Sequence, residues 1–239
     1  MKEFTLELKS ILSAAGSALV GCGDLSGIAN SDFRYGISVA LPVEAHIVKG
    51  IMDGPTDAYF KAYHELNQQL DEIVLRGEEF LLAHGYHAYA QTTQRVREDA
   101  QQRTELPHKT IAVCAGIGWI GKSCLLVTEK YGSAVRLSSI LTDAPLICDS
   151  PLPASKCKGC KKCVEACPAQ ALSGISWAVG VDRDSILNTE ACIDKQMELT
   201  KQSTGRETEF LCGKCFAVCP FTQRYIQSRK ITPTGRFIL

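Results

Sequence analysis

Four cysteines within eleven residues, Cys157, Cys160, Cys163 and Cys167, followed at once by Pro168, constrain this chain more than any other feature. Their C-x2-C-x2-C-x3-C-P spacing lets one tight loop wrap three thiolates around a 4Fe–4S cubane and aims the fourth at a second cluster. Such a run calls for a second cysteine set. The chain supplies Cys192, Cys212, Cys215 and Cys219, the last again before a proline, Pro220. Eight thiolates and two Cys-Pro endings read as two cubanes with crossed fourth ligands. One takes Cys157, Cys160, Cys163 and Cys219; the other takes Cys192, Cys212, Cys215 and Cys167.

Zinc and disulfides are the plainer readings of cysteine-rich sequence. Structural zinc sites use well-separated C-x2-C knuckles, whereas here three cysteines crowd one loop. Disulfide frameworks belong to small secreted domains that lack a large core. This chain has 239 residues, 45% of them hydrophobic, and no signal peptide or membrane-length apolar stretch is read in it. Twelve cysteines with labile clusters point to a reducing cytoplasm, such as that of an anaerobe. The net charge is zero, so no global electrostatic case exists for nucleic acid or an anionic membrane. Cations gather locally: Lys156, Lys158, Lys161 and Lys162 around the first cysteine loop, and Arg224, Arg229, Lys230 and Arg236 in the tail. They either offset the negative charge of a thiolate-ligated cluster or receive an acidic electron donor, and a charge run is most often a solvated face.

Apolar periodicity predicts a helix over residues 3–15 and a longer one after the turn at residues 53–56. The longer helix carries Tyr59, Tyr63, Leu66, Leu70, Ile73, Gly77 and Phe80 on one stripe and ends at Gly85. Residues 18–22, 35–41, 87–91, 125–127 and 134–141 read as strands. Residues 92–109 are polar and carry no clear pattern, and 109–114 reads as either helix or strand. Pro145, Pro151 and Pro153 mark a boundary near residue 150. The expectation is an α+β domain over 1–150, followed over 151–239 by a double-cluster domain resembling that of the bacterial two-4Fe–4S ferredoxins.

Gly116, Gly118, Gly121, Lys122 and Ser123 satisfy both G-x-G-x-x-G and G-x-x-x-x-G-K-S. A phosphate cradle needs a strand before, a helix after and free backbone N–H groups. Residues 124–128 instead favour strand, Trp119 and Ile120 are bulky, and no acidic residue stands where ribose recognition needs one. Packing is the better reading, and a P-loop ATPase carrying clusters is the weakest of three functional classes.

The segment from Ala115 to Lys122, with Leu125, Tyr131, Gly132, Ser133, Arg136 and residues 141–146, resembles the core of the epoxyqueuosine reductases. These are cobalamin-dependent iron–sulfur enzymes related to reductive dehalogenases. The resemblance covers residues 108–222 closely and the N-terminal third loosely. It implies a first domain of the nitroreductase and cobalamin-processing sandwich type, with Gly118, Lys122, Ser133 and Arg136 around a corrinoid. It also implies a low-potential ferredoxin or flavodoxin as electron donor and a small-molecule or nucleoside substrate. The position of the family's proton-donating aspartate falls on Gln102, with Asp99 nearby. Leu239 ends the sequence with no counterpart of the C-terminal repeats that grip tRNA, so tRNA binding is not expected.

His108, close to that acid position, is a candidate proton donor because histidine titrates near neutral pH; a surface or capping role is the plainer reading. Asp53, Tyr59, Tyr63 and Asn67 lie on or before one helix face, where a tyrosine stripe is more often core. Cys22, Cys114, Cys124 and Cys148 fit as small buried hydrophobes, with an extra metal ligand as the alternative. The leading expectation is a cytoplasmic reductase passing electrons through both clusters to a corrinoid or directly to substrate. The alternative is an electron-transfer subunit with no small-molecule chemistry.

Overall fold

Three glycines in two neighbouring strands decide how the first sheet is covered. β1 (Leu19–Asp24) pairs antiparallel with β2 (Tyr35–Pro42), Leu19 opposite Ala40 and Asp24 opposite Tyr35. A methyl on Gly21 would sit 2.2 Å from the Ala115 carbonyl oxygen, and one on Gly23 2.6 Å from the Cys114 carbonyl carbon. One on Gly36 would meet the Ile111 side chain at 2.7 Å. Strand glycines of this kind mark a close backbone approach. What approaches is α4 (His108–Cys114). The alternate residues Cys22, Ile37, Val39 and Leu41 point to the opposite face, into the main core.

The computed structural model describes residues 1–28 and 32–228; Arg229, Lys230 and Arg236 of the basic tail lie outside them. The chain separates into two compact units of discontinuous segments. Residues 1–42, 64–119 and 136–153 form the first, and 43–63, 120–135 and 154 onward form the second. The division is therefore not a single cut near residue 150: two earlier segments join the cysteine-rich part.

In the first unit, α1 (Lys2–Ala14) inserts Leu8 and Leu12 into the core beside Leu70, Ile73, Val74 and Leu81 of α3 (Asp57–Ala83). Gly77 gives α3 its close seat: a methyl there would lie 2.4 Å from Ile140. Gly85, at φ +82°, ends that helical run, its N–H bonded to the Leu82 carbonyl while the Tyr86 N–H returns to Leu81. The sheet order is β1-β2-β6-β3, with β3 (Ala88–Ala90) antiparallel to β6 (Val135–Thr142). Helices cover both faces, which explains why β2 is buried over six consecutive residues instead of alternating. The polar stretch after β3 is fastened by side chains. Thr93 bonds Asp71, Arg95 pairs with Glu78 at 2.6 Å, and the Gln91 amide donates to the Leu106 carbonyl.

The second unit contains α2 (Ala45–Gly50) and a small hairpin of β4 (Trp119–Ile120) and β5 (Leu126–Val127), whose first residue falls in the first unit's segment. Short helices α5 (Lys162–Glu165), α6 (Arg183–Ile186) and α8 (Lys214–Ala217) alternate with α7 (Thr189–Thr204) and α9 (Pro220–Ser228). Asn188 caps α7 by accepting the Ala191 N–H, and Gly205 at φ +73° closes it. Among the described residues no helix is long and apolar enough to cross a membrane.

Gly23→Ala is expected to lower stability by about 1–3 kcal/mol through overpacking against α4. Gly27→Ala, whose methyl would meet nothing within 4 Å, serves as the neutral control. Urea midpoints of the two variants check the difference; equal midpoints would show that α4 yields.

Candidate iron–sulfur centre

Each C-x2-C-x3-C-P segment folds into the same device. α5 carries Cys163 and α8 carries Cys215, each three residues after another cysteine and four before a Cys-Pro pair. The backbone hydrogen bonds match one for one. Glu165 bonds Lys161 as Ala217 bonds Gly213, Ala166 bonds Lys162 as Val218 bonds Lys214, and Cys167 bonds Val164 as Cys219 bonds Phe216. One helical turn is thus enough to bring three thiols to one side of a loop. Pro220 then opens α9, a position where its missing N–H costs nothing.

The thiols fall into two neighbourhoods. Burial pushes Cys163 up to about 11, with further raising by Cys157, Cys219 and Cys160. Cys192 is raised by burial first, then by Cys167 among its charged neighbours. Cys215 is also raised, chiefly by burial, then by Cys212 and Cys192, with smaller effects from Cys163 of the first neighbourhood and from Cys167. Among the described residues no three His, Cys, Asp or Glu side chains are gathered tightly enough for one metal ion.

Sulfur atoms here meet hydrogen-bond donors. The Ala171 N–H reaches Cys167 Sγ at 3.4 Å, and the Gln196 amide reaches Cys192 Sγ at 3.4 Å from one helical turn along α7. Gln196 escaped sequence reading, although its i+4 spacing from Cys192 was the available signal. Backbone N–H groups of Phe221 and Thr222 lower the Cys219 thiol against the larger effect of its burial.

A void lined by Cys157, Cys160, Cys163, Cys215 and Cys219 is bordered by Lys122, Ser123 and Phe221. Lys122 is 6% exposed, and its Nζ donates to the Lys158 carbonyl at 2.8 Å. A methyl on Gly121 would stand 3.5 Å from Cys157 Sγ and 2.7 Å from Val127. The glycine motif leads into β5 and not into a helix, and the Gly121 N–H is taken by the Leu125 carbonyl. The strand–loop–helix layout of a P-loop is therefore absent here. Around the loop, Lys158, Lys161 and Lys162 are exposed, while Lys156 pairs with Glu129 at 2.9 Å.

The other sequence candidates are dispersed. Ser133, in the second unit, donates its backbone N–H to Thr222 Oγ1, and its own buried Oγ has no hydrogen-bond partner among the described residues. Gly132 explains the tight fit: a methyl there would lie 2.1 Å from the Thr222 nitrogen. Tyr131 meets Tyr225 edge to face at 5.2 Å, and the Tyr225 hydroxyl donates to the Val43 carbonyl. In the first unit Gly118 is buried, and Arg136 donates from Nε and Nη2 to Asn67 Oδ1. His108 Nδ1 lies 2.8 Å from Ser139 Oγ. Burial, and then Arg136, push its imidazole down to about 4 against an opposing pull from Asp71. At neutral pH the ring is uncharged, which removes the titration near neutrality that singled it out in the sequence.

Tyr59 is buried with its ring edge on Phe216, Tyr63 is half-buried and Asp53 is exposed. Cys22 and Cys148 share the neighbourhood of Lys9 and Asp149, and burial raises Cys22 to about 12. Cys114 faces the Gly23 backbone. Cys124 is buried at φ +59° and lies close enough to Cys192 to raise its thiol.

Residues 156–222 match the 4Fe-4S double cluster binding domain family. The chain is 31% identical over 173 residues to epoxyqueuosine reductase of Bacillus subtilis strain 168, covering 68% of this chain and 39% of that protein. It is 32% identical over 125 residues to the Listeria monocytogenes epoxyqueuosine reductase, covering 50% and 30%. It is 33% identical over 116 residues to the tetrachloroethene reductive dehalogenase of Sulfurospirillum multivorans, covering 47% and 23%. A catabolic reductive dehalogenase solved with 3-bromo-4-hydroxybenzoic acid shares the fold at a TM-score of 0.70 and 17% identity, over 95% of this chain and 32% of that one. A Bacillus subtilis epoxyqueuosine reductase structure gives a TM-score of 0.59 and 21% identity, over 92% and 66%. The chain thus spans well under half the length of the curated relatives it matches. With two cysteine devices, the double-cluster match and curated relatives of both kinds, the chain is epoxyqueuosine reductase-like, with a domain for two 4Fe–4S clusters.

Proposed function

We propose that this protein is an iron–sulfur reductase in which Cys157, Cys160, Cys163 and Cys219 ligate one 4Fe–4S cluster and Cys192, Cys212, Cys215 and Cys167 the other. The observation that carries the reading is the paired folding of the two cysteine devices, each with its last cysteine turned toward the other's group. The chain's part is to bury the thiolates and to aim N–H groups at sulfur, from Ala171, Phe221, Thr222 and the Gln196 amide. These are the levers that set a cluster potential. The electrons enter one at a time from a low-potential ferredoxin or flavodoxin.

Their destination in this reading is a corrinoid, in keeping with a related reductive dehalogenase whose structure suggests a mechanism for B12-dependent dehalogenation. The orphaned Ser133 Oγ is a buried polar atom that such a ligand would satisfy. Lys122 and Ser133, both in the second unit, are the residues we assign to holding it. When bound, a corrinoid supplies a metal centre that hands electrons in pairs to an organic substrate. The first unit is then the sandwich domain of the cobalamin-processing type. The substrate class is a small molecule or nucleoside, in keeping with a relative solved with an epoxyqueuosine-modified tRNA stem loop. His108 enters as a neutral imidazole hydrogen-bonded to Ser139, able to orient or donate without first becoming charged. A second reading, an electron-transfer subunit, is favoured by the exposed Gln102 at the position of the family's acid.

Anaerobic reconstitution with iron, sulfide and cobalamin separates the two. Eight irons and one corrinoid per chain are expected; eight irons without corrinoid would leave the electron-transfer subunit. Because a thiol must lose its proton to bind iron, and burial raises those of Cys163, Cys212 and Cys219, loading should improve as pH rises.

Single Cys→Ser changes are expected to divide by cluster and not by loop. Cys167→Ser should weaken the same cluster as Cys192→Ser, and Cys219→Ser the same one as Cys157→Ser. The electron paramagnetic resonance signal lost in each reduced variant reads this out. A Cys167→Ser chain that loses the Cys157→Ser signal would reverse the crossed assignment.

His108 gives a pH dependence of known sign. Its folded pKa, about 4, lies below the ordinary histidine value, so its contribution to stability is complete above pH 6.5 and lost as pH falls through 4. His108→Asn should therefore flatten the fall in urea midpoint between pH 6.5 and 4 relative to the unaltered chain. Parallel curves would show that the ring is not held neutral.

A further inference from the structure

Lys122 is a charged side chain in a buried place with a neutral partner. It sits at the turn of the β4–β5 hairpin, is 6% exposed, and gives one of its three N–H bonds to the Lys158 carbonyl at 2.8 Å. Lys158 belongs to the loop between Cys157 and Cys160, and Lys122 lines the same void as Cys157, Cys160, Cys163 and Cys219, with Cys215 of the second set also on its wall. Among the described residues no carboxylate pairs with it. Gly121, immediately before it, lets Val127 pack closely, since a methyl there would lie 2.7 Å from that side chain, and Cys157 Sγ lies at ordinary contact distance, 3.5 Å, from the same point.

A buried ammonium without a counter-charge is strongly disfavoured, whereas one beside an anion is not. The thiolate-ligated cluster proposed above is the anion at hand, and its negative charge grows by one on reduction. A fixed cation at its edge therefore stabilises the reduced form more than the oxidised form. The carbonyl bond also ties the first cysteine loop to the hairpin.

We infer that Lys122 is the cation of the Cys157/Cys160/Cys163/Cys219 cluster, a positioning residue that raises that cluster's electron affinity and leaves the other cluster's unchanged. The inference rests on the cluster reading given under the proposed function. It gives the G-x-x-x-x-G-K-S segment a task unrelated to nucleotide phosphate. In the balanced step, one electron passes from a low-potential one-electron reductant to the cluster, without proton or bond rearrangement at Lys122.

Two variants separate charge from tether. Lys122→Gln keeps an N–H donor for the Lys158 carbonyl but removes the charge; Lys122→Arg keeps the charge. The holoprotein is titrated with dithionite under anaerobic conditions, and both cluster signals are followed by electron paramagnetic resonance. The first cluster is identified by the signal that disappears in Cys157→Ser, and iron is counted in every preparation. In Lys122→Gln the first cluster is expected to bind its electron about tenfold more weakly, a fall of about 59 mV for a one-electron couple. The second cluster should hold its potential, and Lys122→Arg should restore the first. Loss of iron from the Gln variant but not from the Arg variant would also support the assignment. Unmoved potentials with full iron, equal shifts of both clusters, or equal iron loss in both variants would overturn it. Fewer than eight irons in the unaltered, reconstituted chain would instead sink the two-cluster reading itself.

Discussion

In the ligation proposed above, bonds from thiolate to iron are the interaction on which the cysteine loops of the second unit depend. Three of its helices, α5, α6 and α8, are four residues long, below the length at which a helix supports itself in water. The segments around the cysteines leave apolar side chains uncovered: Phe210, Val179 and Ile175 are all partly or largely open to solvent. What converges instead is sulfur. Buried thiols beside other buried thiols resist ionisation, so iron that binds them must displace their protons. In the proposed ligation, loading of the clusters therefore adds to the folding free energy of the cysteine-rich part, beside the burial of Phe216, Tyr225 and Ile226.

The first unit obeys a different rule. Its core is made of Leu, Ile and Val packed from α1 and α3 against one sheet face, and its other face admits α4 only where side chains are missing. The residues that fix the geometry are thus the smallest ones, Gly21, Gly23, Gly36 and Gly77. At each a single methyl would strike backbone or a branched side chain. A unit stabilised by apolar burial needs no metal to hold its shape. The two units divide the labour between packing and coordination, and each answers to a different kind of perturbation: overpacking for one, loss of iron for the other.

Elements with local causes were legible in the sequence. The stripe on α3, its end at Gly85, the paired strands β1 and β2, and the repeated cysteine spacing follow from period, turn chemistry and ligand reach. Residues 92–107 were opaque because their order comes from long-range bonds, Thr93 to Asp71 and Arg95 to Glu78, which no periodicity announces. The assignment of residues 43–63 and 120–135 to the cysteine-rich unit was hidden for a related reason. It rests on contacts such as the Tyr225 hydroxyl with Val43 and Ser133 with Thr222, between residues 182 and 89 positions apart. The neutral state of His108 likewise follows from burial and from Arg136, neither of which its neighbours in sequence disclose.

The glycine segment shows how one string supports two readings until its backbone is followed. A phosphate cradle offers consecutive N–H groups to solvent at the start of a helix. Here the Gly116 N–H bonds Val113, the Ile117 N–H bonds Ala112, the Gly121 N–H bonds Leu125 and the Cys124 N–H bonds Gly121. These donors are spent on a helix end and a hairpin turn, and Lys122 is spent on the Lys158 carbonyl. What remains useful in the motif is smallness at Gly121 and charge at Lys122. A side chain in place of Gly121 would press on Val127, and a neutral residue in place of Lys122 that still donates to the Lys158 carbonyl would keep that tie but alter the field around the loop. Of the residues that imitate a nucleotide site, Lys122 is the one that, in the inference drawn above, sets a buried cation against an anionic metal centre.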